Sequence, residues 1–212
     1  MGRPLGARNR EYEQRRAGLA RQLAGRLQRD DGTPAGLSDL GAAAGVSTTT
    51  LRHYFGDRDG VVQAVLETVR DDSAGYLDAG TTAGGRPPER TLPELLAGTV
   101  LAWRRHGLDR TLTGALAVGL GSDTRGPHVV TDLLEPLLTA TERLLKQHSD
   151  AGELPALTDE ERREAALALV APVLLALIHQ DALSGHAVRH LDVENLAQRH
   201  AALVLAGLRH RG

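Results

Sequence analysis

Apolar residues recur every three to four positions along most of this 212-residue chain, the spacing of helices that bury one face. No stretch alternates apolar and polar residues as a half-buried strand would, and no segment repeats. An aperiodic arm rich in Gly, Pro and Arg occupies 1–8. Leu19, Leu23 and Leu27 then mark a helix over 9–29, which Gly32 and Pro34 close. Val61, Val62, Val65, Leu66 and Val69 mark another over 57–78, with Asp57 as its N-cap. The Gly/Pro/Thr-rich run 79–91 is a loop. Helical spacing resumes over 92–106, and a further apolar run occupies 108–120. Gly119, Gly121, Ser122, Gly126 and Pro127 predict a second loop. The spacing returns over 128–148, where Pro136 predicts a kink or break near 134–136, and 149–155 is a turn. Thr158 and Glu161 form a capping box before the longest apolar helix, 165–183, in which Pro172 predicts a second kink. A loop over 184–191 precedes a last helix starting near Asp192, with Leu196, His200, Leu203, Val204, Gly207 and Leu208 on one side. The pattern predicts an all-α protein of about nine helices.

The stretch 37–55, LSDLGAAAGVSTTTLRHYF, carries the most information. Ser38–Ala44 is an Ala-rich helix candidate. Gly45 suits a left-handed turn, and Ser47 can cap a second helix over Thr48–Tyr54. Leu37, Leu40, Ala44, Val46, Leu51 and Phe55 take inward positions, which leaves Thr48, Thr49, Arg52 and His53 outward. One buried stripe, one polar stripe and a Gly-containing turn make a helix-turn-helix.

Ala44-Gly45-Val46-Ser47, Thr50-Leu51, Tyr54-Phe55 and Asp57-Arg58-Asp59, near the start of a chain of this length, resemble the DNA-binding signature of the tetracycline-repressor (TetR) family. The resemblance covers about residues 10–70; the rest is similar in length and helical character only. Three positions depart from the family's usual residues. Arg52 stands where an aromatic is usual, Gly36 where Thr is usual, and Arg58 where Lys is frequent. The resemblance implies a three-helix helix-turn-helix head over 1–56 and a helical effector-binding and dimerisation domain over 57–212. It implies operator contacts by Ser47, Thr48, Thr49, Thr50, Arg52, His53, Tyr54 and Arg58, with Tyr54 and Arg58 on phosphates. An Arg can bond guanine O6 and N7, and a Thr methyl can meet a thymine methyl. The family also implies that the last two helices pair two subunits across a two-fold axis. The apolar positions available for this are Leu167, Val170, Leu174, Leu177, Leu196, Leu203 and Leu208.

Composition sharpens the picture. Hydrophobic residues make up 41% but aromatics only 2%, so the core must be built from Leu, Val and Ala. The absence of Cys excludes a disulfide framework and a thiolate metal site. No apolar run reaches the ~18–20 residues of a membrane span, and no signal-like segment begins the chain. The expectation is a soluble cytoplasmic protein with no membrane partner. Arg far outnumbers the single Lys146, as expected of a GC-rich, bacterial genome. Net charge is −2, yet residues 1–29 hold eight Arg against two Glu, so a basic head precedes an acidic body.

Other constellations yield less. His186 and His190 stand four apart near Asp181 and Asp192, but within a Gly-containing loop and without a zinc motif, so no metal site is expected. Asp159-Glu160-Glu161 complements a helix dipole, and Ser184-Gly185-His186 lacks the strand and elbow of a hydrolase nucleophile. No catalytic residues, enzyme activity or cofactor are expected. Polar and aromatic side chains set in apolar helices are candidate effector contacts: Tyr76, Trp103, His106, His179, Gln180 and Asp181. The expected protein is a homodimeric regulator, most often a repressor in this family, that binds double-stranded operator DNA and releases it on binding a small molecule. The alternatives are a helical co-regulator, or a small-molecule-binding protein, whose head no longer reads an operator.

Overall fold

The computed structural model describes residues 5–27, 29, 33–106, 111, 116 and 126–210. Among these the regular elements are all helical. The helices are α1 (Leu5–Leu23), α2 (Leu37–Ala44), α3 (Thr48–Phe55), α4 (Arg58–Gly80), α5 (Pro88–His106), α6 (Gly126–Val129), α7 (Glu135–Asp150), α8 (Asp159–Leu177) and α9 (Val193–Arg209). The expected apolar run at 108–120 lies outside the described residues apart from Thr111 and Leu116, both helical.

The chain divides into two compact units that are not contiguous in sequence. One comprises residues 1–72 and 106–133, the other 73–105 and 134–212. In the first, α1 begins four residues before the expected 9, inside the supposed arm, because Leu, Ala and Arg outweigh the modest helix penalty of Gly6. It ends at Leu23 rather than 29, because Gly25 takes a left-handed φ of 74°. The Gly25 N–H donates to Thr111 Oγ1 at 3.0 Å. Leu19, Leu23, Leu27, Leu40, Leu51, Val61, Val65 and Leu66 are buried.

In the second unit, α7, α8 and α9 pack together. Leu144, Leu145, Ala166, Leu169, Val173, Ala197, Ala201 and Leu205 are buried. His148 is fully buried there, with Nε2 2.7 Å from Thr91 Oγ1 and Nδ1 2.5 Å from Glu153 Oε2. The Thr158–Glu161 capping box forms as expected, with Thr158 N–H donating to Glu161 Oε2 at 2.8 Å and Glu161 N–H to Thr158 Oγ1 at 3.2 Å. Asp192 caps α9 by accepting the Asn195 N–H at 3.0 Å.

The prolines act differently from one another. Gly126 and Pro127, expected in a loop, open α6, since Pro fits a first helical turn. Ahead of Pro136 the chain widens into a π turn, Val130–Leu134, which accommodates the proline where a kink was expected. Pro172, by contrast, is carried inside α8 without a break, and a π turn follows only at Ile178–Ala182. A proline has no N–H for the carbonyl four residues back. That carbonyl, on Ala168, instead accepts from His200 Nε2 of α9 at 2.6 Å.

Within the continuous stretch Asp159–Ala182 one 18-residue window reaches a mean hydropathy of 1.7, enough by length and composition to cross a membrane, and 44% of that window is buried within the protein. The length of the stretch comes from adding the π turn to α8. One side of it is buried within the unit, through Ala165, Ala166, Leu169, Val170, Val173, Ala176 and Leu177.

Candidate nucleic-acid interface

The turn between α2 and α3 follows from its residues. Gly45 adopts φ 65°, ψ 31°, and α2 closes with the Gly45 N–H donating to the Ala42 carbonyl at 3.2 Å and the Val46 N–H to the Gly41 carbonyl at 2.9 Å. Ser47 then caps α3, with the Thr50 N–H donating to Ser47 Oγ at 3.0 Å. Leu51 and Phe55 are buried on one side of α3. Thr49, Arg52 and His53 are exposed on the other, with Thr48 half-buried at its edge. The N–H groups of Thr48 and Thr49, at the first two helical positions, lack intrahelical acceptors and face the positive end of the dipole.

The eight expected DNA-contact residues therefore separate by environment. Thr48, Thr49, Arg52 and His53 share a solvent-facing surface. Ser47 and Thr50 hydrogen-bond to each other, their hydroxyl oxygens 2.9 Å apart, and serve as the cap. Tyr54 is half-buried, its ring 4.9 Å from that of Tyr12 on α1. Arg58 has partners within the fold. Its Nε donates to the Ala35 carbonyl at 2.8 Å and its NH2 to the Leu27 carbonyl at 3.3 Å. The guanidinium is thus engaged in holding the link between α1 and α2, because the first turn of α4 directs it inward. Gly36 caps α2 without a side chain; its N–H donates to Asp39 Oδ2 at 3.0 Å.

The basic excess of the N-terminal segment is partly neutralised within the unit. Arg16 pairs with Glu67 at 3.0 Å, and Arg21 makes a bidentate pair with Asp72 at 2.7 and 2.9 Å. The Asp72 carboxylate, by hydrogen bond first and charge second, stabilises the Arg21 cation. Arg15 and Arg26 remain exposed. On α4, Arg70 pairs at 2.6 Å with Asp132, a carboxylate that is almost wholly buried on the π turn.

The effector candidates are mostly occupied by the fold. Tyr76 donates to the Leu95 carbonyl at 3.2 Å, and burial raises its pKa. Trp103 is buried, and the His106 side chain lies outside the described residues. Gln180 is a staple: Nε2 donates to the Arg189 carbonyl at 2.9 Å, and Oε1 accepts the Leu191 N–H at 3.0 Å. His179 Nδ1 lies 2.6 Å from Gln180 Nε2. Asp181 pairs with Arg104 at 3.0 Å, which keeps that guanidinium charged. Gln180 and Asp181 therefore close a loop and join two helices. An open groove of about 450 Å³ lies elsewhere, along α9 beside Leu196, Arg199, His200 and Leu203.

The expected dimerisation residues also divide. Val170, Leu177 and Leu208 are 2%, 1% and 6% exposed and belong to the chain's own core, which corrects their assignment to an outer face. Leu174 and Leu196 are half-buried. Leu167 and Leu203 are 55% and 71% exposed, and so is Leu175, at 67%, which the pattern did not single out. Helix α8 is apolar on nearly every side, so spacing alone could not separate its inner face from its outer one. No sequence signal links Tyr12 to α3.

The chain matches no protein-family model and no curated protein. Solved structures share its fold. The fatty acid degradation regulator FadR from Bacillus halodurans superposes with a TM-score of 0.70 at 16% identity, over 92% of this chain and 96% of that one. FadR from Thermus thermophilus, a TetR-family transcriptional repressor in complex with lauroyl-CoA, gives 0.64 at 18% identity, over 91% and 94%. SmeT, the repressor of the Stenotrophomonas maltophilia multidrug efflux pump SmeDEF, gives 0.64 at 18%, over 90% and 89%. The fold is that of the TetR-family transcriptional regulators.

Proposed function

We propose that this chain, with its TetR-type fold, is a homodimeric repressor that binds a pseudo-palindromic operator and is released by a small-molecule effector. The observation that carries the reading is the presentation of α3. Its inner side is anchored by Leu51 and Phe55, while Thr49, Arg52 and His53 stand together in solvent. Such a helix can enter a major groove with its N-terminal half towards the bases. Arg52 supplies a bidentate donor for guanine, Thr48 and Thr49 supply methyl groups, and the first-turn N–H groups suit a phosphate. Arg15 and Arg26, exposed on and just after α1, add charge for the backbone.

Dimerisation is supported by Leu167, Leu175 and Leu203, which leave an apolar outer face on the last two helices. Two heads on a two-fold axis read half-sites about 34–36 Å apart or multiples of that. Helix α4 runs on from the head through residue 80, so a ligand that shifts it alters the separation of the two α3 helices. A coupling of about 1–3 kcal/mol would weaken operator binding roughly 5–150-fold. Acyl-CoA thioesters, one of which occupies the Thermus thermophilus neighbour, are the first effectors to screen.

The test is selection from a pool of random duplexes by the purified protein at two salt concentrations. The proposal expects an enriched pseudo-palindrome whose affinity falls as salt rises. Recovery of no preferred sequence at either salt, from protein denatured and refolded free of ligand, refutes it.

A further inference from the structure

We infer that Tyr12 is a positioning residue for the reading face, holding the C-terminal end of α3 and thereby the direction in which Arg52 and His53 point; the inference rests on the proposed operator binding. At eight residues, α3 is too short to be stable alone, so its orientation is imposed by contacts around it. Its last carbonyls lack intrahelical donors. Two of them are satisfied by the following backbone, Arg52 by the Gly56 N–H at 2.9 Å and Phe55 by the Asp57 N–H at 3.0 Å. The two between, on His53 and Tyr54, face the hydroxyl of Tyr12 at 3.3 and 3.4 Å, so one O–H is shared between them.

The rings reinforce this contact. Tyr12 lies 4.9 Å from Tyr54 at a tilt of 31°, and 5.7 Å from His53 edge-on at 85°. His53 meets Tyr54 at 5.0 Å and 75°. The His53 imidazole is exposed yet held by two tyrosines, which gives its N–H groups a fixed direction. One turn along α1, Arg16 stands 5.8 Å over the Phe55 ring while paired with Glu67. Helix α1 therefore grips the C-terminal end of α3 through Tyr12 and Arg16. Tyr12 acts through the residues it orients, so its loss should reduce discrimination between sequences rather than attraction to DNA.

The test compares the wild-type chain with Tyr12→Phe, which removes only the hydroxyl, and Tyr12→Leu, which removes the ring. Each is titrated against the wild type's selected duplex and a scrambled one, and selection is repeated with Tyr12→Phe. The expected loss on the selected duplex is about threefold for Tyr12→Phe and about tenfold for Tyr12→Leu. Affinity for the scrambled duplex stays within about twofold, and the enriched motif loses definition at the base pairs nearest the end of α3. Equal losses on both duplexes would make Tyr12 a backbone contact or a general support of the fold, and would overturn the inference. So would unchanged binding to both by Tyr12→Phe, which keeps the ring and decides the matter if Tyr12→Leu does not fold. A wild type that selects no sequence overturns the operator reading itself, and this inference with it.

Discussion

Arg58→Ala separates a residue that braces the head from one that touches DNA. The wild-type guanidinium bridges the carbonyls of Ala35 and Leu27, residues that are 3% and 0% exposed. The Leu27 carbonyl retains the Ala35 N–H at 3.0 Å when Arg58 is removed, whereas the Ala35 carbonyl loses its side-chain donor. Hydrogen bonds to charged groups contribute about 1.5–3 kcal/mol each. One full loss and one partial loss, at a half-buried guanidinium, come to about 2–3 kcal/mol. In a chain of this size that lowers Tm by roughly 5–10 °C. Arg58→Lys keeps a cation but only one point of attachment, and should fall about midway. The assay pairs thermal unfolding with operator affinity across a salt series. A phosphate contact contributes about 0.9 to the slope of log K against log salt. The structure predicts an unchanged slope with a lowered Tm. A slope reduced by about 1.8, one phosphate contact from each subunit, with an unchanged Tm would refute the bracing role and return Arg58 to the phosphate backbone.

Three further outcomes follow from the geometry. Gly60→Ala would place a Cβ against the Phe55 carbonyl at the junction of α3 and α4; overpacking there should cost about 2–3 kcal/mol, read by urea unfolding. Leu175→Glu combined with Leu203→Glu charges the exposed apolar face without touching the core, so sedimentation should report a monomer where the wild type is a dimer, and Val170→Ala should leave the assembly intact while lowering stability. Burial raises the pKa of Tyr76 above its ordinary value of 10.0, so the folded state favours the protonated phenol. That contribution is fully present below about pH 10 and is lost as pH rises beyond it. Alkaline unfolding of Tyr76→Phe should therefore be less steep than that of the wild type.

How much of this was legible in sequence depended on whether a residue's partners were local. Gly45, Ser47 and the Thr158–Glu161 box act on neighbours within a turn or so, and spacing revealed each of them. The exposed side of α3 was legible too, because a helix with one polar and one apolar side declares its orientation. The intramolecular acceptors of Arg58 were not legible, because they lie 23 and 31 residues away and no periodicity connects them. Tyr12 escaped for the same reason, with its acceptors 41 and 42 residues distant. Gln180 and Asp181 looked like pocket residues because polar groups in an apolar helix need partners. The structure supplies those partners from the chain itself, in Leu191, Arg189 and Arg104. Pro172 promised a kink, yet His200 takes up the carbonyl it leaves open.

The central claim is that the exposed side of α3 reads DNA sequence. It is tested most directly by titrating the full chain against its selected duplex and a scrambled duplex of equal length, alongside Arg52→Ala. A sequence reader should prefer the selected duplex by about 10³-fold or more. Arg52→Ala should lose about 1–3 kcal/mol per half-site on that duplex and relax the preference at one base pair in each. Equal affinity of the wild type for both duplexes, or an Arg52→Ala variant that discriminates as well as the wild type, would contradict the claim.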